Sequence, residues 1–60
     1  LKTFVSIYRD KDGSAFVGEP ISVGSIEELL EAEKVVLYEI PSLVSIDVCE
    51  IHKTVTKEEE

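Results

Sequence analysis

From Leu1 to Tyr8 the chain alternates, with Leu1, Thr3, Val5 and Ile7 at one parity and Lys2, Phe4, Ser6 and Tyr8 at the other. A period of two marks a β-strand, and here it sets a mostly aliphatic face against one that carries two rings. Asp10-Lys11-Asp12-Gly13 then reads as a turn, and a second strand returns between Ser14 and Val23. A three-residue loop with Gly13 in the left-handed region sets Tyr8 opposite Phe16 and Ile7 opposite Val17. A two-residue Asp12-Gly13 turn would instead set Arg9 against Phe16 and Ile7 against Gly18. The first register makes the better cross-strand pairs and is the one expected. Gly18 and Pro20 interrupt the return strand, and a proline offers no N–H to a ladder, so this stretch is predicted to be an edge strand or bulged.

Gly24 ends the strand pattern, and Ser25-Ile26-Glu27-Glu28 has the form of a capping box. Ile26, Leu29 and Leu30 make one apolar stripe, with Glu27, Glu28 and Glu31 opposite, which predicts a short helix ending before Lys34. Such a helix is unstable alone and must lie on the sheet. Val35 to Ile40 is rich in β-branched and aromatic side chains and reads as a third strand, closed by Pro41-Ser42. The alternation of Val44, Ile46 and Val48 with Ser45 and Asp47 predicts a fourth. Beyond Cys49 the phase slips to Ile51 and Val55, which points to a bulge near Cys49-Glu50, or to a far half that buries the opposite face. The expected fold is α+β, a single small domain over residues 1–57 with a charged tail at 58–60. Its elements run β-β-α-β-β, giving a four-stranded, mostly antiparallel sheet with one short helix on one face.

Sixty residues make one domain at most. A domain of this size buries only about 60% of the surface its unfolded chain exposes, so support beyond the monomer core is expected. An internal disulfide is excluded, because Cys49 is the single cysteine. It is expected to be a buried or half-buried thiol in a reducing compartment. No apolar run approaches the roughly 18 to 20 residues of a membrane span, and no basic stretch leads into an apolar one, so the chain is expected to be cytoplasmic and away from membranes. Its start at Leu1 fits a piece of something larger.

Thirteen acids against six bases give a formal charge of −7, and Lys2, Arg9, Lys11, Lys34, Lys53 and Lys57 are scattered. Phosphate binding needs clustered Lys and Arg, so nucleic acid is not an expected partner. The chain lacks Asn, Gln, Met and Trp while using many glutamates. That pattern occurs in thermophile proteins, and a mesophilic melting temperature would count against such a source.

No catalytic signature emerges. Cys49 and His52 stand three residues apart, which in a regular strand sends them to opposite faces, so they form neither a nucleophile–base pair nor half of a zinc site. Asp10-x-Asp12-Gly13 resembles the start of a calcium loop, but Ile21 falls where that loop needs a bidentate glutamate, and the turn reading wins. No enzyme activity, cofactor or metal is expected.

The expected activity is binding. Glu27 and Glu28 suit the positive end of the helix dipole, whereas Glu31 adds like-charge repulsion and makes an acidic patch able to steer a partner with a basic surface. Phe4, Tyr8 and Phe16 should cluster on one side of the hairpin, with Val5, Ile7 and Val17 on the other. One short helix cannot cover both sides, and large apolar patches are rarely left exposed, so a homodimer is expected. The candidate partner-binding residues are Phe4, Tyr8, Phe16, Glu27, Glu28 and Glu31. The chain thus reads as a small acidic protein-binding module, an adaptor or an inhibitor of a larger protein. The alternatives are a structural or assembly subunit, and a single-stranded nucleic-acid binder that stacks bases on an aromatic sheet face. In outline, the order of strand, Asp-rich turn, strand, helix and strand resembles that of the very short acidic phage proteins that inhibit uracil-DNA glycosylase. The resemblance covers about two thirds of the chain, includes no binding motif and assigns no residue a role.

Overall fold

The computed structural model describes residues 1–58. Its elements are β1 (Lys2–Asp10), β2 (Ala15–Val17), β3 (Ile21–Val23), α1 (Ile26–Glu39) and β4 (Leu43–Glu50). β1 is central and antiparallel to all its neighbours, with β2 and β3 in line along one edge and β4 along the other. The fold is thus α+β with a four-stranded antiparallel sheet and one helix, but the element order is β-β-β-α-β.

The hairpin takes the register expected of a three-residue loop. Ile7 stands opposite Val17 and Tyr8 opposite Phe16. Gly13 has a φ of 94°, and its N–H donates to the Asp10 carbonyl at 3.0 Å. The Asp12 Oδ1 accepts from the Ser14 N–H at 2.8 Å and from the Ser14 hydroxyl at 2.6 Å. These bonds hold the Asp12 carboxyl below its ordinary pKa, the hydroxyl contributing most. The aspartates of this segment therefore close a turn on themselves.

The return strand breaks where Gly18 and Pro20 predicted a break. Gly18-Glu19-Pro20 spans only Val5 and Ser6 of β1, so one extra residue flips the parity, and Ile21 then lies opposite Phe4. The fourth strand comes from this split, not from Val35–Ile40.

That segment is helical. α1 has 14 residues and ends only at Ile40, which is extended and precedes Pro41. Two physical reasons favour the longer helix. No Gly, Pro or Asn interrupts the chain between Ile26 and Ile40, and a residue before proline avoids the helical region. In addition, β3 ends beside Lys2 while β4 begins beside Asp10, so the connection must travel back about 26 Å along β1. A 14-residue helix covers ~21 Å of that, whereas a helix stopping before Lys34 would cover ~12 Å. Ser25 is the N-cap, as the capping box implies, but its hydroxyl makes no capping hydrogen bond.

The helix lies over the ringed side of the sheet. Phe4 is 2% exposed and forms the core with Leu29 and Leu43. Leu29, Glu33, Val36 and Leu37 make the inward stripe, while Ile26 and Leu30 remain partly exposed on its flank. β4 bulges near its start, not near Cys49-Glu50: Arg9 pairs with Ser45 and Asp10 with Leu43, which skips Val44. The bulge turns Leu43 inward and leaves Val44 exposed. Beyond Glu50 the described chain has no regular element, and of the expected tail Glu58 is exposed while residues 59–60 lie outside the described residues.

Candidate functional site

The two faces of β1 differ in chemistry. On the helix side Phe4, Ser6 and Tyr8 face inward. Tyr8 stacks on Phe16 with ring centroids 5.3 Å apart, and its other neighbour is Gly18, where a Cβ would fall 3.0 Å from the ring. Glu33 reaches the same place from the helix, with its residue only 9% exposed, and its Oε2 has no hydrogen-bond partner among the described residues. The Glu33 carboxylate raises the Tyr8 pKa by hydrogen bonding, burial adds to this, and the Ser6 hydroxyl acts in the opposite sense. Ser6, Tyr8 and Glu33 are thus a small polar cluster inside an otherwise apolar layer.

The other face has no covering element among the described residues. Strand alternation and the observed registers place Val5, Ile7 and Val17 there. Cys49, opposite Val5, joins them. Ile51 extends the row, because its N–H donates to the Thr3 carbonyl at 2.8 Å. Val17 is 65% exposed, and Cys49 is exposed too, which corrects the buried or half-buried thiol expected from composition. Val5, Ile7 and Ile51 are half-buried. Here a thiol and a valine stand in the open.

Polar pairs bound this row. Arg9 Nε and Asp47 Oδ2 form an ion pair at 3.0 Å at one end, and the Thr3 and Ser22 hydroxyls bond at 2.9 Å at the other. Among the strands, Asp47 is the acid on this face, and Arg9 offsets it. The remaining described acids lie in the turn, the β2–β3 break, the helix, the ringed side or the stretch after β4. A chain of net charge −7 therefore has one side that is close to neutral.

The residues expected to bind a partner do not converge. Phe4 is in the core and offers nothing to the surface, Tyr8 is half-buried beside Glu33, and Phe16 is 53% exposed at the sheet edge. The three rings form no shared platform. Glu27, Glu28 and Glu31 are exposed on the helix, with Glu28 turned back toward Gly24. Farther along the outer helix, Glu31, Lys34, Val35 and Tyr38 line a shallow depression. Sequence reasoning placed Val5, Ile7 and Val17 on this face, and the alternation of β4 against β1 adds Cys49, Ile51 and the Arg9–Asp47 pair to it.

Among the described residues no group of three or more His, Cys, Asp and Glu side chains is placed to hold a metal ion. No helix among them is long and apolar enough to cross a membrane. No protein-family model, curated protein or solved structure matches the chain.

Proposed function

We propose that this chain is an acidic protein-binding module, an adaptor or an inhibitor of a larger protein, that works by association through the uncovered face of its sheet. The observation that carries this is the neutral row of Val5, Ile7, Val17, Cys49 and Ile51 on a molecule otherwise rich in acids. Apolar area without net charge is what a buried interface core requires, since charges are depleted there. The exposed glutamates of α1 add a different contribution, steering a partner with a basic surface and raising its encounter rate.

The reading is tested by capture from a lysate of the source, using the wild-type chain beside Val17→Lys. Val17 is so exposed that the lysine leaves the protomer's packing intact while placing a charge in the row. A protein retained by the wild type and lost by the variant supports the reading. Identical retention by both chains refutes it.

A further inference from the structure

We infer that the outer edge of β4 takes up an extended segment of the partner as a fifth strand, antiparallel to β4, with apolar side chains seated beneath the flank of α1. The inference rests on the binding reading above and deepens it by naming the part of the partner that makes a contact. The edge adjoins the aliphatic row and leaves that row free for the rest of the same partner.

The two edges of the sheet are built differently. On one, β2 and β3 have three residues each and are parted by Gly18-Glu19-Pro20, so no long row of backbone groups is offered there. On the other, β4 has eight residues with no Gly, Pro, Lys or Arg among them, and its bulge lies near its start, beside Leu43. The devices that blunt an edge are therefore absent from Ser45 onward. Because Ile51 directs its N–H toward β1, alternation turns the N–H and C=O groups of Ile46, Val48 and Glu50 outward, where no backbone partner meets them among the described residues. An extended backbone is the ligand that matches such a row of donors and acceptors.

Side chains make the edge selective. Ile26 lines a hollow with Phe4 and Glu50, so the flank of α1 that carries Ile26 and, one turn on, Leu30 overlooks β4. α1 also packs more on β4 than on β3. Ile26 and Leu30 stay partly exposed, and Ile46 and Val48, on the same side of the sheet, are only half-buried. Together they form an apolar groove along the open edge, which the added residues opposite Ile46 and Val48 would fill. The charged side chains of β4 are Asp47 and Glu50, both acidic, on a chain of net charge −7. Basic residues opposite them complement the edge. A second copy of β4 has no base to offer.

The probe is the capped peptide Lys-Thr-Val-Lys-Val-Thr, whose lysines fall opposite Glu50 and Asp47 and whose valines fall opposite Val48 and Ile46. It is titrated into the isotope-labelled chain and followed by amide NMR and hydrogen exchange. Exchange is expected to slow at Ile46, Val48 and Glu50 and to stay unchanged at Asp47 and Cys49, whose N–H groups already face β1. Glu50→Pro deletes one outward N–H without touching the ladder to β1 and is expected to weaken binding about tenfold, whereas Glu50→Gln keeps that N–H and weakens it less. Leu30→Lys puts a charge in the groove and is expected to weaken binding while keeping the wild-type circular dichroism. Unslowed exchange at the three amides overturns the proposal, and so does equal binding by wild type, Glu50→Pro and Leu30→Lys. Slowing that rises with protein concentration in the absence of peptide gives the edge to a second copy and overturns it too. Val17 stands on the far side of β1, so Val17→Lys should leave peptide binding unchanged. If Val17→Lys abolishes capture of another protein but the wild type ignores the peptide, the added strand is refuted and the binding reading survives. Peptide binding at the edge, with capture indifferent to Val17→Lys, supports the strand site and refutes capture through the aliphatic row.

Discussion

Replacing Glu33 with leucine is expected to stabilise the fold, although it removes a charge from the helix of an acidic protein. Glu33 is 9% exposed, and one of its carboxylate oxygens lacks any hydrogen-bond partner among the described residues. Leaving such a group unsatisfied costs about 1–3 kcal/mol. Leucine has similar length, keeps helix propensity and puts apolar volume at a position of the inward stripe that is already buried. The variant gives up the Glu33 contact with the Tyr8 phenol, which is worth about 1 kcal/mol, and the phenol keeps the Ser6 hydroxyl beside it. The net expectation is a gain of about 1 kcal/mol, or ~4–8 °C in Tm for a domain of this size, read by thermal and urea unfolding. The same cluster sets an alkaline dependence. Tyr8 has its pKa raised in the folded protein, so its contribution to stability is fully present below the unfolded value of about 10 and is lost as pH rises through the folded value. Glu33→Leu removes the largest cause of that shift. Tyrosinate absorbance, followed in a Tyr38→Phe background to isolate Tyr8, should therefore titrate at lower pH in the variant. A destabilised Glu33→Leu whose Tyr8 titration is unmoved would refute the reasoning.

Three further outcomes follow from local geometry. Gly18→Ala should cost about 1 kcal/mol, because its Cβ would sit 3.0 Å from the Tyr8 ring, and the cost should shrink in a Tyr8→Leu background; equal costs in both backgrounds would show that the ring is not the obstacle. Val35→Ala should stabilise by about 0.5 kcal/mol, since Val35 is an exposed, β-branched residue inside α1; a strand at this position would give the opposite sign on urea unfolding. Asp12 has its pKa depressed by the Ser14 bonds, so its contribution is present above the unfolded value of about 3.9 and is lost as pH falls through the folded one. Ser14→Ala removes the hydroxyl bond, and the Asp12 midpoint in a carboxylate NMR titration should move up; an unmoved midpoint would contradict the turn geometry.

The parts of this fold that were legible in the sequence are those set by neighbours in the chain. The hairpin register follows from Gly13 and from pairing Tyr8 with Phe16, and the strand break follows from Gly18 and Pro20, so local chemistry sufficed. The helix end did not follow from local chemistry. Val35, Val36 and Tyr38 favour a strand by propensity, yet the penalty for such residues in a helix is only tenths of a kcal/mol each. The distance from the end of β3 to the start of β4 outweighs that, and it is known only once both strands are seen to flank β1. Glu33 obscured the pattern further. It occupies the middle of the stripe Leu29, Glu33, Val36, Leu37, Ile40, so an apolar spacing that runs to Ile40 reads as one that stops at Leu30.

Which face the helix covers is a matter of hand, not of hydrophobicity, and this is why the candidate contact moved from the rings to the aliphatic row. β3 and β4 both oppose β1 and are therefore parallel to each other. Crossovers between parallel strands in one sheet are right-handed in nearly every case. In β1 the Ser6 carbonyl accepts from Gly18 on the β2–β3 side and the Thr3 carbonyl from Ile51 on the β4 side, which fixes the parity of the chain relative to its neighbours. With that parity, a right-handed β3–α1–β4 crossover covers Phe4, Ser6 and Tyr8, and the left-handed alternative would cover Val5 and Ile7. Both parities are apolar enough to be buried, so the sequence of β1 is neutral on the choice. The strand order makes the choice, and the row that it leaves bare is the one free of unpaired charge.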